Sequence, residues 1–292
     1  MKSRAAIFAL VPVIATLAIA PLYGCDDLAL PVQPDAGGQT PPPNVNPDSG
    51  PTQNAEGLVP AGAFVSSKHT STFNSDELYS FATVDGAGKV AELTVVFPLS
   101  VVRAVPPTIV ADDIRIPASV PSIVAEQTAI RSLSYNYRPQ GHSPPGVYDT
   151  PHWELHPALL SEQEMAGIDC TDTTPPNEAA FMPEDWAMIP EAQGPCVPTM
   201  GRHAINRKSA EFNGERFKHG LLIAVYKGGY TTLEPKWSKE MLLRHEETVT
   251  PVPDVKSLGL SAPTMWPTKM TTKYNAEHDS YLFSISDWVQ KQ

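Results

Sequence analysis

Apolar and polar positions alternate over short runs in the body of the chain, and turn residues separate the runs. Leu78–Val84 and Lys89–Phe97 alternate on either side of Asp85-Gly86-Ala87-Gly88, which predicts a β-hairpin. His219–Tyr226 and Tyr230–Glu234 repeat the pattern around Lys227-Gly228-Gly229. Further strands are predicted over Thr128–Tyr137, Val147–Leu160, Met265–Tyr274 and Tyr281–Ile285. Helical signals are short. Ser161-Glu162-Gln163-Glu164 is a capping box, and Trp237–Arg244 is a second candidate. No internal repeat is visible. Many strands and frequent turns, with 31 prolines in the chain, predict a mainly β fold. The expected architecture is an antiparallel sandwich or barrel with a few short helices.

The N-terminus departs from this pattern. Lys2 and Arg4 precede an apolar run from Ala5 to Ala20, followed by Leu22-Tyr23-Gly24-Cys25. A basic start, a short apolar core and a small residue before the break describe a secretory signal peptide over residues 1–25. The break resembles a bacterial lipobox, in which the cysteine, here Cys25, is lipidated and becomes the mature N-terminus. Tyr23 stands where such a motif has a small or aliphatic residue. Ordinary cleavage and an uncleaved anchor are the alternatives. Pro12 interrupts the apolar run, which is near the lower limit of roughly 17–25 residues for a spanning helix.

Residues 26–67 read as a tether. No Lys or Arg lies between Arg4 and Lys68, no aromatic lies between Tyr23 and Phe64, and seven prolines fall between Pro31 and Pro51. Such a stretch cannot bury enough apolar area to offset its ordering entropy. An extended, Pro-rich spacer is expected, holding residues 68–292 off a membrane as one β-rich domain. That body is large enough for a proper core.

Without Lys2 and Arg4 the chain has 19 basic and 32 acidic residues, a net charge of −13. It has no basic run, which argues against a nucleic-acid partner. With Cys25 assigned to lipid, Cys170 and Cys196 remain. In an oxidising compartment an even pair reads as a disulfide, with two free thiols as the alternative. No CxxC is present, so a thiolate zinc site is not expected.

The chemistry concentrates in Gly141–Leu160, which holds three of the eight histidines. His152-x-Glu154-x-His156 on a strand would project two imidazoles and a carboxylate from one face. Such donors suit a divalent metal, whether zinc, copper, iron or manganese. A polar strand face turned to water is the alternative. On a straight strand His152 and His156 have Cα atoms about 13 Å apart, so both can hold one ion only if the strand bends. Otherwise one ligates and the other orients an outer group.

The chain resembles the TTHB-like domain, a domain-of-unknown-function family of bacterial exported proteins. The segment GHSPPGVYDTPHWELHPAL is similar to the family's GHEPxGVYDxPHFDFHFY-like signature. Pro198-Thr199-Met200-Gly201-Arg202-His203, Ser209–Gly214 leading to His219, Thr231–Pro235, and Trp266–Met270 follow in the family's order. The likeness runs from about Asp76 to the C-terminus. Departures are Glu154 in place of Asp, Pro157-Ala158 in place of an aromatic pair, and Ala204 in place of Trp. The resemblance places His142, His152, His156, His203, His219 and Glu234 on family motifs, and leaves His69, His245 and His278 off them. It implies a pocket with His152, Glu154, His156, His203 and Glu234 as candidate metal ligands. His142 and His219 would stand behind them, His219 facing the same pocket. It carries no activity.

Two function classes follow. One is a membrane-tethered envelope lipoprotein with a metal site. Such a site can extend to a metal-dependent enzyme, in which an open coordination position activates water and Glu154 or Glu234 is the general base. The other is a non-catalytic envelope or stress-related protein that acts through homo-oligomerisation or ligand binding, its His/Glu cluster structural. No GxSxG and no phosphate-binding Gly loop appears.

Overall fold

The structure, a computed structural model, describes residues 57–106, 108–109, 113–172, 174, 181–258 and 263–291. The signal segment with Cys25, and residues 26–56 of the tether, lie outside these. In chain order the strands are β1 (Phe64–Val65), β2 (His69–Thr70), β3 (Glu77–Val84), β4 (Val90–Pro98), β5 (Ile114–Ala118), β6 (Leu133–Arg138), β7 (His152–Leu155), β8 (Trp186–Met188), β9 (Arg202–Asn206), β10 (His219–Tyr226), β11 (Gly229–Ser238), β12 (Thr248–Pro251), β13 (Thr264–Asn275) and β14 (Ser280–Lys291). Short helices are α1 (Leu99–Ala104), α2 (Ser122–Gln127), α3 (Glu162–Ala166) and α4 (Lys239–Leu243), with a 3₁₀ turn over Ala210–Asn213.

Among the described residues two open antiparallel sheets form, and neither closes into a barrel. One runs β1-β3-β4-β14-β13-β12, with β2 also on β3, and the other runs β5-β6-β7-β11-β10-β9-β8. One apolar cluster joins them. Phe97 of the first sheet meets Trp153 of the second at 4.9 Å between ring centroids, and Trp237 stacks on Phe283 at 4.1 Å. The mainly β expectation holds, as a sandwich.

Both predicted hairpins form. Asp85 caps the first turn by accepting from the Ala87 and Lys89 amides at 2.8 and 2.9 Å. Several boundaries move. Residues 57–67, assigned to the tether, belong to the fold, because Val59 and Ala63 pack on Tyr79 and Phe81 while β1 pairs with β3. The predicted strand Val147–Leu160 shrinks to β7, four residues long. Trp237 and Ser238 end a strand rather than open a helix, and the Ser238 hydroxyl caps α4 by accepting from Met241 at 3.2 Å. β11 continues through Pro235. Its missing N–H falls towards β7, where the ladder stops at Lys236↔Glu154 and resumes with the Leu233 amide on the Pro157 carbonyl at 3.1 Å. β5, β8, β9 and β12 were not predicted, being four or five residues long at most and weakly alternating. Cys170 and Cys196 form a disulfide, with Cα atoms 5.7 Å apart.

Candidate metal site

Strand parity builds the site. Trp153 and Leu155 of β7, Tyr135 and Tyr137 of β6, and Leu233 and Trp237 of β11 all enter the core between the sheets. Their neighbours therefore turn to the other face of the second sheet. Register then stacks them, with Glu154 lying between Asn136 and Lys236, and His152 between Arg138 and Ser238. On β9 Ala204 is core, so His203 joins the same outer face.

That face is covered by the loop after β6 and the loop before β9. Gly141 turns the first at φ +72°, and a Cβ there would lie 1.9 Å from the Tyr148 carbonyl oxygen. Only glycine lets this loop close and carry His142 over Glu154. Gly201 does the same beside Val225, at φ +108°. As a result His152, Glu154, His156, Glu234 and Lys236 are all buried.

The two carboxylates have distinct partners. Glu154 Oε1 lies 2.7 Å from His142 Nε2, 3.0 Å from His152 Nε2 and 3.0 Å from Lys236 Nζ. Its Oε2 accepts from Arg138 Nε at 3.2 Å and lies 3.7 Å from His156 Nε2. Glu234 Oε1 pairs with Lys236 at 2.6 Å, while Oε2 lies 2.8 Å from His203 Nε2 and 3.9 Å from His156 Nε2. His203 and Glu234 approach in an orientation that makes no hydrogen bond. His156 Nε2, His203 Nε2 and Glu234 Oε2 thus share one property: each is buried without a hydrogen-bond partner.

Backbone carbonyls set two histidine tautomers. His142 Nδ1 is 2.6 Å from the Ser143 oxygen and His152 Nδ1 is 2.7 Å from the Thr150 oxygen. A carbonyl only accepts, so each Nδ1 carries hydrogen and each Nε2 faces Glu154. Lys236 Nζ also lies 2.9 Å from His142 Nε2 and 4.5 Å from the Tyr148 ring centroid.

Burial alone would raise the carboxyl pKa values. The Lys236 ammonium and the neighbouring histidines together outweigh it and hold both below the usual range, Glu154 well below. Burial pushes His156 down to about 4, so its imidazole is neutral at pH 7. Burial, then Lys236, lowers His142 as well.

These groups can hold a metal ion. Two sets of donor atoms lie within 4.8 Å of one another: His142, His152 and Glu154, and Glu154, His156 and Glu234. His152 and His156 fall in different sets, as the length of an extended strand requires. His203, expected to share an ion with one of them, belongs to neither set and meets Glu234 instead. His142, expected behind the ligands, touches Glu154 directly. His219 does not face this pocket. It pairs with Trp237, so its parity is opposite to that of Glu234, and it lies in a separate groove with Trp186 and Asn206.

Lys236 and Arg138 were not anticipated. Ending the second hairpin at Glu234 removed Lys236 from view, although Glu234-x-Lys236 repeats the two-residue spacing of His152-x-Glu154. Neither a family model, nor a curated protein, nor a solved structure matches the chain.

Proposed function

We propose that this protein is a lipid-anchored envelope protein whose β-sandwich binds one divalent metal ion through Glu154, His156 and Glu234. One observation carries the metal reading. His156 Nε2 is buried without a partner, 3.7 and 3.9 Å from the Oε2 atoms of Glu154 and Glu234. Those separations are too long for hydrogen bonds. They are shorter than twice a metal–ligand distance of about 2.1 Å, so one ion fits between nitrogen and oxygens. His203 stands 2.8 Å from the same Glu234 oxygen, outside the donor set. A mixed nitrogen and oxygen donor set suits zinc, copper, iron or manganese. The extracytoplasmic reading is supported by the Cys170–Cys196 disulfide. The anchor rests on the sequence around Cys25, and membership of the TTHB-like family rests on its ordered motifs.

The test is metal content. Protein stripped with chelator, offered each of the four metals and desalted, should retain about one equivalent of at least one. His156→Ala should lose it, and His203→Ala should weaken it. His245→Ala should match the wild type, because His245 stacks on Tyr274 at 3.8 Å and belongs to neither donor set. Retention of none of the four metals by the wild type sinks the reading.

Lys236 favours a second reading. Its ammonium already stands between Glu154 and Glu234, at 3.0 and 2.6 Å, and supplies a cation without metal. The cluster would then be structural, in a non-catalytic envelope protein. In that case added metal leaves the melting temperature unchanged.

A further inference from the structure

A cavity of about 220 Å³ opens beside the proposed metal site. Its floor includes Glu234, His203 and Arg138, and its walls include Ile189, Val197 and Leu222. Glu154 and His156, buried members of the site, do not line the cavity. Glu234 is the link between them: one oxygen is held by Lys236, and the other, without a hydrogen-bond partner, belongs to the donor set. The volume is below the roughly 300–1,000 Å³ of sites for drug-sized ligands. A small molecule with a compact apolar body fits such walls.

Charge decides the head group. Glu154 and Glu234 are buried and balance Lys236 and Arg138, while Asp113 is partly exposed and also faces Arg115. A dication bound beside them leaves the cluster positive. An anionic ligand then offsets that charge where an unbalanced charge is most costly. Without metal the cluster is already balanced and offers an anion no such pull.

Resting on the metal reading above, we propose that this cavity binds a small organic monocarboxylate, its carboxylate directed to the metal and the Arg138 guanidinium, its apolar part against Ile189, Val197 and Leu222. Val197 sits in the covering loop, next to the disulfide-bonded Cys196, and is only partly buried. Enlarging it therefore fills the cavity from its roof without disturbing the sheet.

Calorimetric titration with benzoate and with benzylamine, which match in size and differ in charge, tests the proposal. Metal content is measured on the same samples. The metal-loaded protein should bind benzoate, the chelator-treated protein should bind it at least tenfold more weakly, and benzylamine should not compete. Val197→Phe should keep its metal and lose benzoate affinity at least tenfold. A protein that holds metal but ignores benzoate overturns this inference and leaves the metal reading standing. Equal binding of benzylamine, or unchanged affinity in a folded, metal-loaded Val197→Phe, overturns it too. A protein that holds no metal overturns the metal reading, and this inference falls with it.

Discussion

Lys236 Nζ and Glu234 Oε1 meet at 2.6 Å with both side chains out of water. The same ammonium lies 3.0 Å from Glu154. One lysine thus serves two buried carboxylates that would otherwise repel each other. Removing one member of a buried ion pair typically costs about 3–5 kcal/mol, because the charge left behind stays desolvated. Lys236→Met should therefore lose about that much stability in denaturant titration of chelated protein. Lys236→Met with Glu234→Gln should recover part of it. A loss below about 1 kcal/mol for the single change would show that the carboxylates do not depend on this ammonium.

The pH dependence of the metal-free protein has a definite sign. His156 is held at about 4 when folded and has an ordinary value of 6.5 when unfolded. Between those values the unfolded chain binds a proton that the native protein does not. Stability is therefore full above about pH 6.5 and falls as the pH drops towards 4. His142 shifts the same way, while Glu211 and Asp113, raised by burial, act in the opposite sense. The measurement is therefore the difference between wild type and His156→Asn, followed by thermal melts in chelator. The variant's curve should be flatter between pH 6.5 and 4. Parallel curves would mean that His156 takes up its proton at the same pH in the native and the unfolded state.

How much of this was legible in the sequence follows from what strand parity needs. Where long apolar alternation meets a turn rich in glycine, as at Asp85–Gly88, both hairpin partners can be read directly. His152-x-Glu154 shows by its spacing that the two residues share a face, and parity alone predicts that much. What parity cannot supply is the identity of the neighbouring strands. Lys236 reaches Glu154 because β11 pairs with β7, a contact across 82 positions. Pro235 hid that continuation, since proline usually ends a central strand. His219 shows the converse. Its motif position suggested the pocket, but its register opposite Trp237 gives it the wrong parity.

Cys25→Ser tests the anchor. Lipidation at that cysteine should place the wild type in the membrane fraction and allow labelling by a fatty acid. The variant should lose the label and enter the soluble fraction. Among the described residues no helix is long and apolar enough to cross a membrane. Retention of the variant in the membrane would therefore point to an uncleaved N-terminal segment or to a bound partner, and would refute lipidation as the anchor.

The disulfide should matter locally as well as globally. Cys170 and Cys196 are 26 positions apart, and closing a loop of that size is worth about 3 kcal/mol by chain entropy. Few regular elements lie inside the loop: of its described residues only Trp186–Met188 form a strand. Cys196 also stands between Pro195 and Val197, which line the cavity over Glu234. Reduction should thus loosen the covering loop before it unfolds the sheets. Hydrogen exchange of the oxidised and reduced protein separates the two effects. Amides over residues 189–201 should lose protection on reduction, while those of β10 and β11 should change little. Double replacement of Cys170 and Cys196 by Ser should lower global stability by about 3 kcal/mol and leave no cystine in the chain. Unchanged exchange over residues 189–201 would show that the loop is held by its packing on the sheet rather than by the bridge.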